Sequence, residues 1–408
     1  MIVLFFEDPF HGNFEPLSIS HPAYTLLCGT SRLYQKWLSA FEFDNYGFIS
    51  RPFLADILRL ETGKPVNMIP EGDFLLINGR VLPSPDLLTK LNDLRHGQAL
   101  VCDELLIAYR AENGVNNTIK ESLLNIHTTG AHEKIKSITR VKKIELKYPN
   151  HIWDFIGMNE QMISREFARF KKESKITKNL YAASSIINPE QIFMDGSSKI
   201  GASVVIDASE GPVIIDQNTK VEPFSLIQGP CYIGPDCRIV GGRIRSGTSL
   251  GPVCRVGGEV EESIMMGYCN KYHEGFLGHA YLGEWVNLGA LTTNSDLKNN
   301  YKEISVQIGN TSVNTGSIKI GCFIGDHTKT GIGTMLNTGI NIGFSCNLYG
   351  AGLFAEKLIS SFNWGTPGNL VKYKIEKAAQ TAAISMERRG VKFTDIHDKL
   401  FEYINKNN

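Results

Sequence analysis

The stretch VIIDQNTKVEPFSLIQGPCYIGPDCRIVGG, residues 213–242, decides the fold. Ile215, Val221, Ile227, Ile233 and Ile239 stand at six-residue intervals, and Gly234 follows Ile233. Neither an α-helix, with its period of about 3.6, nor a long alternating strand gives this beat. A hexapeptide repeat does: each hexad is one short strand plus a turn, three hexads close a coil, and coils stack about 4.8 Å apart. The aliphatic residue of each hexad points inward onto its equivalent one coil away, and a small residue fits the corner.

Outward from this stretch the phase continues. Leu250 and Val256 keep it, as do Leu282 and Leu288, and then Ile324, Thr330, Leu336, Ile342 and Leu348. A parallel β-helix is expected over 181–350. The phase breaks at Ser209–Pro212, from Val260 to about Leu277, and from Asn294 to Ser317. Such interruptions are expected to leave the solenoid as loops on one face. Beyond 350 come the loop SSFNWGTPGN and an amphipathic helix over Tyr373–Arg389, expected to cover the open end of the solenoid.

Residues 1–175 have another texture. Apolar runs at Ile2–Phe6, Gly47–Ile49, Phe74–Ile77 and Ala99–Cys102 alternate with helical patterns at Ser31–Ala40, Pro52–Leu60 and Pro85–Leu94. This predicts a Rossmann-like α/β domain. A helix over Asn159–Lys172 leads out of it, and the charged run RFKKESK reads as a linker or a solvated helix face.

Composition excludes several classes. Lys plus Arg equals Asp plus Glu at 42 each, which argues against a charge-driven nucleic-acid or membrane-surface protein. Eight cysteines without a CxxC pair suit a reducing compartment, and a cytoplasmic protein is expected. The opening MIVLFFEDPF lacks a basic leader and reads as a first strand. No apolar run approaches the roughly 20 residues of a membrane helix.

One stretch carries more polar chemistry than a structural repeat needs: NKYHEGFLGHAYLGEWVNLGA, residues 270–290. It resembles the acetyltransferase half of the bifunctional N-acetylglucosamine-1-phosphate uridyltransferase/glucosamine-1-phosphate N-acetyltransferase family. There a histidine precedes an aromatic-Leu-Gly turn by three residues and a V-N-[IL]-G-A motif follows one coil on. His273, Phe276-Leu277-Gly278 and Val286-Asn287-Leu288-Gly289-Ala290 reproduce that spacing. The resemblance implies a left-handed β-helix acyltransferase acting on an amino-sugar phosphate with acetyl-CoA, and a homotrimer with sites between neighbouring solenoids. It implies His273 as general base, a task suited to an imidazole. It further implies Asn287 and Asn294 on the sugar, the Ala290 N–H facing the thioester oxygen, and Arg245 on the sugar phosphate. Phe276 stands where the family has tyrosine. Glu259, Glu261 and Glu262 crowd the place of a phosphate-binding lysine, and Lys271 is a substitute from a neighbouring turn. Lys329 in GDHTKTG is a candidate coenzyme A contact, and His327 beside it either shares that contact or lines a turn. His279 has no family role and reads as structural. His273, His279 and His327 lack zinc-ligand spacing.

The front half resembles sugar nucleotidyltransferases more loosely, as a variant branch. Pro16-Leu17-Ser18 and His21-Pro22 match part of the family frame, but Asn13-Phe14-Glu15 replaces Gly-Thr-Arg and Ala23 replaces a lysine. Gly79-Arg80 stands where the family has Gly-Asp, so a cation replaces a Mg²⁺ ligand. Asn159 matches the second metal ligand. Two readings stay open: a working domain using Mg²⁺ and UTP, with Arg80, Arg32 or Lys36 as substitutes, or a decayed structural one. The alternative for the whole chain is a sugar-1-phosphate nucleotidyltransferase whose β-helix only regulates or trimerises.

Overall fold

The computed structural model describes residues 1–111, 115–171 and 183–407. Its front sheet comprises β1 (Ile2–Phe6), β2 (Asn45–Ile49), β3 (Phe74–Asn78), β4 (Gln98–Cys102), β5 (Leu105–Arg110) and β6 (Arg140–Lys143), in the order β2-β1-β3-β5-β4-β6. β1 pairs in parallel with β2 and β3, whereas β5 runs antiparallel to β3 and β4. The unbroken apolar runs of β1 and β3 reflect burial on both faces. The helices are α1 (Leu33–Ala40), α2 (Ala55–Thr62), α3 (Pro85–Asn92), α4 (Asn117–Leu124), α5 (Thr129–Ile138) and α6 (Ile152–Lys171). α1 starts later than expected because Ser31–Arg32 pairs with Leu27–Cys28. α6 starts seven residues before Asn159, and the expected linker from residue 172 lies outside the described residues.

The solenoid has three faces of parallel strands. The first runs through nine strands from Ile192–Met194 to Leu358–Ile359. The second carries Lys220–Val221, Arg238–Ile239, Arg255–Val256 and Asn270–Lys271, and continues through Asn287 to Lys329–Thr330. The third carries Arg243–Ile244, Glu259–Glu261 and Phe276–Gly278, and above them Thr293–Asn294 and Thr334–Leu336. Cα register pairs Val213 with Cys231 and Ile215 with Ile233, three hexads on. Ile215, Val221, Ile227, Ile233 and Ile239 are all buried in one core, as the six-residue beat requires. Three faces of hexads make this the left-handed hexapeptide β-helix that the pattern predicts.

The phase breaks resolve in different ways. From Val260 to Leu277 no loop leaves the solenoid, which corrects the expectation. The coils shorten instead, so that Leu250 pairs with Met265, and Glu259 still pairs with Phe276. Within Asn294–Ser317 the chain does leave, as an antiparallel hairpin of Ser305–Ile308 with Thr311–Asn314.

The front domain docks on the first face. Ile264, Met266, Tyr281 and Phe323 point out from that face into an apolar cluster with Phe14, Leu26, Ile152 and Phe155. Polar contacts fix the register. Asp326 accepts from Ser20 Oγ (2.8 Å) and from the Glu284 N–H (2.7 Å), and its carboxylate lies 2.7 Å from His21 Nε2, all buried. The Tyr281 hydroxyl donates to Leu27 O at 2.7 Å, and Arg32 pairs with Glu284 at 2.5 Å. The C-terminal segment forms two helices, α7 (Ile375–Glu387) and the unexpected α8 (Asp395–Asn407). They do not cap the end of the solenoid. They lie along its side, joining Phe344 and Phe362 to Leu54 and Ile57 of the front domain, and Phe53 stacks on Tyr403 with ring centroids 4.0 Å apart. Phe344 and Phe362 supply the apolar surface that these helices cover there. All eight cysteines are free and buried. No helix among the described residues is long and apolar enough to cross a membrane.

Asp326 is a buried carboxylate gripped by both domains, so Asp326→Ala is expected to cost about 3–5 kcal/mol. Urea unfolding followed by tryptophan fluorescence measures the loss. A change under 1 kcal/mol would remove Asp326 as the latch.

Candidate active site

The coil register builds one corner of the solenoid from residues distant in sequence. Asn270 and Asn287 bridge in parallel, and the Leu291 N–H donates to Glu274 O at 2.8 Å. Ala290 therefore stands one coil above His273. His273 is solvent-exposed, with the Tyr272 ring edge-on at 5.2 Å. Phe276 points outward on the third face beside Glu259, since Val260 and Leu277 between them point in. The Phe276 ring lies across Gly278, where a Cβ would come within 2.4 Å of it. Asn287 faces out on the second face and accepts from Asn270 Nδ2 at 3.0 Å, leaving its own amide N–H groups to donate. His273 and Ala290 thus stand at one corner, one coil apart, with Asn287 on the second face and Phe276 on the third to either side of it.

The other candidates sit differently. Arg245 is on the third face, bound through Nε to Glu259 (2.6 Å) and through Nη1 to Gln228 (2.9 Å). Its hydrogen bond holds the Glu259 carboxyl below the usual range. Lys271 does not face a phosphate. It takes an inward position in register with Val256, and its ammonium bends back to His273 O (2.7 Å) and Gly257 O (3.4 Å). Burial lowers its pKa to about 8. Asn294 is buried and spans the Gly278 backbone, accepting from its N–H and donating to its carbonyl, both at 2.9 Å. It holds the coil and has no free amide for a sugar. Lys329 lies on the second face near Asn287. His327 stands at a turn that is covered and does not face solvent. It is buried among Trp285, Phe344 and Phe401, and burial keeps it neutral, with a pKa lowered to about 3.

A second cluster escaped the sequence reading. Glu262, His279 and Asp296 stand one coil apart in turn, the same step as Asn270 to Asn287. His279 Nδ1 lies 2.8 Å from Asp296 and Nε2 3.1 Å from Glu262, on the wall of a cleft of about 1100 Å³ between the two domains. Burial opposes charge on this ring, but the two carboxylates outweigh it and raise the pKa to about 9. The coil-length step between the three residues was the signal that could have found them.

The front domain does not fit Mg²⁺. Arg80 is buried, with Nε 2.6 Å from Asp8 Oδ2, and the Asn78 amide donates to the same oxygen at 2.8 Å. The rings of Phe10, Phe14 and Tyr148 surround the guanidinium at 5.2–5.6 Å. Glu7 beside it is clasped by Arg51 through two bonds of 2.8 and 3.0 Å. Asn159 is not a metal ligand here. Its amide accepts from the Gly29 N–H (2.6 Å) and donates to Gly247 O (2.8 Å) and Ser249 Oγ (2.9 Å), joining the domains. Arg32 and Lys36, the other substitute cations, are spent on Glu284 and Glu166. Among the described residues no group of three or more His, Cys, Asp and Glu could hold a metal ion.

The structure thus joins an α/β domain to a hexapeptide β-helix that carries an exposed imidazole corner. Comparisons with known proteins find partial matches. Residues 3–175 match the sugar nucleotidyl transferase family. The bifunctional protein GlmU of Nitrosospira multiformis is 29% identical over 187 residues, 40% of this chain and 40% of that protein. GlmU of Methanococcus aeolicus is 29% identical over 293 residues, 67% of this chain and 69% of that one. A bifunctional sugar-1-phosphate nucleotidylyltransferase/acetyltransferase of Sulfurisphaera tokodaii is 34% identical over 91 residues, 22% and 23% of the two chains. The chain thus spans less than half the length of the first of these relatives. Among solved structures, LpxA of Acinetobacter baumannii covers 52% of this chain and 77% of its own at 14% identity, with a TM-score of 0.26. At that score the fold assignment rests on the coil geometry alone.

Two outcomes follow from the charges. His279 binds its proton more tightly folded than unfolded, so its stabilisation is complete below about pH 6.5 and lost as pH rises through about 9. His279→Gln is expected to shrink the fall in melting temperature across that window, leaving the share of His21, whose pKa, despite burial, Asp326 also raises to about 9, as calorimetry at stepped pH will show. Arg80→Ala leaves Asp8 buried and unpaired and is expected to cost about 3–5 kcal/mol in chemical denaturation. A near-neutral result would return that aspartate to the list of available ligands.

Proposed function

We propose that the chain transfers an acetyl group from acetyl-CoA to the amine of an amino-sugar phosphate of the glucosamine-1-phosphate kind. The observation that carries this reading is the corner itself, where register puts Ala290 one coil above His273 with Asn287 at the side. His273 takes the proton from the attacking amine. The Ala290 N–H faces the thioester oxygen as negative charge develops on it. Asn287, its carbonyl held by Asn270, donates to the sugar. Arg245 shares the sugar phosphate with Glu259 as its competitor. The products are the N-acetyl sugar phosphate and free coenzyme A.

The corner is open, and acyl transfer needs water kept out. Exposed apolar side chains border it: Leu291 and Ile332 at the corners, and Met335 and Leu353 in register on the third face. A patch of this kind suits a second copy of the chain. A homotrimer in the cytoplasm, with each site walled by a neighbour, is the assembly we propose. The family match of the front domain supports a nucleotidyltransferase ancestry, while its internal Arg80–Asp8 pair argues against Mg²⁺-dependent transfer to UTP now. The rival reading, uridylyl transfer with a merely structural β-helix, requires the opposite.

Coenzyme A release from acetyl-CoA and glucosamine-1-phosphate tests the reading. His273→Ala is expected to lower kcat by roughly a hundred- to ten-thousandfold with little change in KM. Equal rates in the two proteins would sink the assignment of the base. Mg²⁺-dependent pyrophosphate release from UTP would revive the rival.

A further inference from the structure

Beneath α7, on the second face, lies a pocket of about 340 Å³. Lys329, Arg388 and Arg389 enter it, with the amides of Asn270 and Asn287. Tyr268 and Trp285 form one wall, stacked at 4.1 Å and 13°. No carboxylate lines it. None of the three cations makes an ion pair with a carboxylate among the described residues. The one side-chain hydrogen bond of Arg389 goes to Asn270 Oδ1 at 3.0 Å. Its charged neighbours are Arg255 and Arg388, and burial together with these like charges lowers its pKa. Burial lowers Lys329 to about 8. Lys329 and Arg389 are withdrawn from water without a counter-ion, which is costly unless an anion joins them, and exposed Arg388 stands at the rim.

We infer that this pocket binds a phosphate ester, with Lys329, Arg388 and Arg389 as its anion ligands and α7 as the wall that completes it. The pocket stands on its own geometry. Only the identity of the phosphate's owner rests on the acetyl-transfer reading, which offers two: the nucleotide portion of coenzyme A, or the sugar phosphate, which would then leave Arg245 to its Glu259 pair. Guanidinium groups and an ammonium within a small amide-rich cavity match phosphate oxygens in charge and in donors. The pocket also touches the proposed chemistry. Arg389 holds the Asn270 oxygen, and the Asn270 amide holds the Asn287 oxygen at 3.0 Å. Asn287 leads within three residues to Ala290. Arg389 is therefore a positioning residue, and an anion on it fixes the orientation of the Asn287 amide.

The test is calorimetric binding to the full chain, with inorganic pyrophosphate, glucosamine-1-phosphate and coenzyme A as probes. Glucosamine and pantetheine serve as their phosphate-free counterparts. Wild type is expected to bind pyrophosphate, and one phosphorylated probe at least tenfold more tightly than its counterpart, weakening with salt. Which probe gains names the owner. Arg388→Ala and Lys329→Met are each expected to weaken that binding about tenfold or more. Arg388 is exposed, and Met fills the volume of Lys, so melting temperatures should hold or rise. Wild-type binding retained in both folded variants, or no preference for phosphate, overturns the inference. Turnover is read separately. A chain that binds but releases no coenzyme A keeps the pocket and loses the reaction. A chain that turns over with both KM values unmoved in the variants keeps the reaction and loses the pocket.

Discussion

A backbone ladder that repeats its register from coil to coil carries everything chemical in this molecule. In each coil the aliphatic hexad residue is turned in and its neighbours are turned out, so outward side chains form columns. Asn270, Asn287 and Lys329 form one such column. Glu259 and Phe276 belong to another. The Asn287 N–H donates to Thr328 O and the Leu288 N–H to Asn270 O, which pins the column from above and below. A one-residue slip in any coil would turn its column to the other side. Where the coils shorten, with Leu250 opposite Met265, the columns stay in register, Arg255 opposite Asn270. The imidazole corner follows directly on that shortened coil.

Charge is handled differently in the two domains. In the front domain each acid at the end of β1 has its own internal arginine, Arg51 for Glu7 and Arg80 for Asp8. The domain is electrically closed where nucleotidyltransferases need an open acidic site. Its remaining polar groups, Ser20, His21 and Arg32, turn to the β-helix and hold it. The β-helix is the reverse. Under α7 it gathers Lys329, Arg388 and Arg389 with no acid to answer them.

How much of this was legible in the sequence follows from period and distance. The six-residue beat from Ile215 to Ile239 located the solenoid because inward packing admits so few residue types. The strands β1 and β3 were visible as apolar runs, while β5, α4 and α5 were not recognised. The spacing from His273 to Ala290 equals one coil, so the corner could be read from one dimension. Lys271 and Asn294 could not. Both look like ligands in sequence, and both are turned inward by coil register that was hidden inside a phase break. Arg389 was out of reach for a further reason. Its partner Asn270 lies 119 residues away, across a helix whose resting place nothing local dictates.

The cysteines have a use that their burial creates. Cys231, Cys237, Cys254, Cys269, Cys322 and Cys346 line the bore of the coil, some with sulfurs against backbone carbonyls, as in Cys237 to Gly251 at 3.1 Å. Cys28 and Cys102 are sealed in the front domain. Thiols so enclosed react slowly with reagents from solvent. The surface is in effect a blank for thiol labelling. One cysteine introduced at an exposed corner such as Phe224 would then be a unique attachment point on an otherwise native chain. A spin or fluorescent label placed there would act as a ruler between copies.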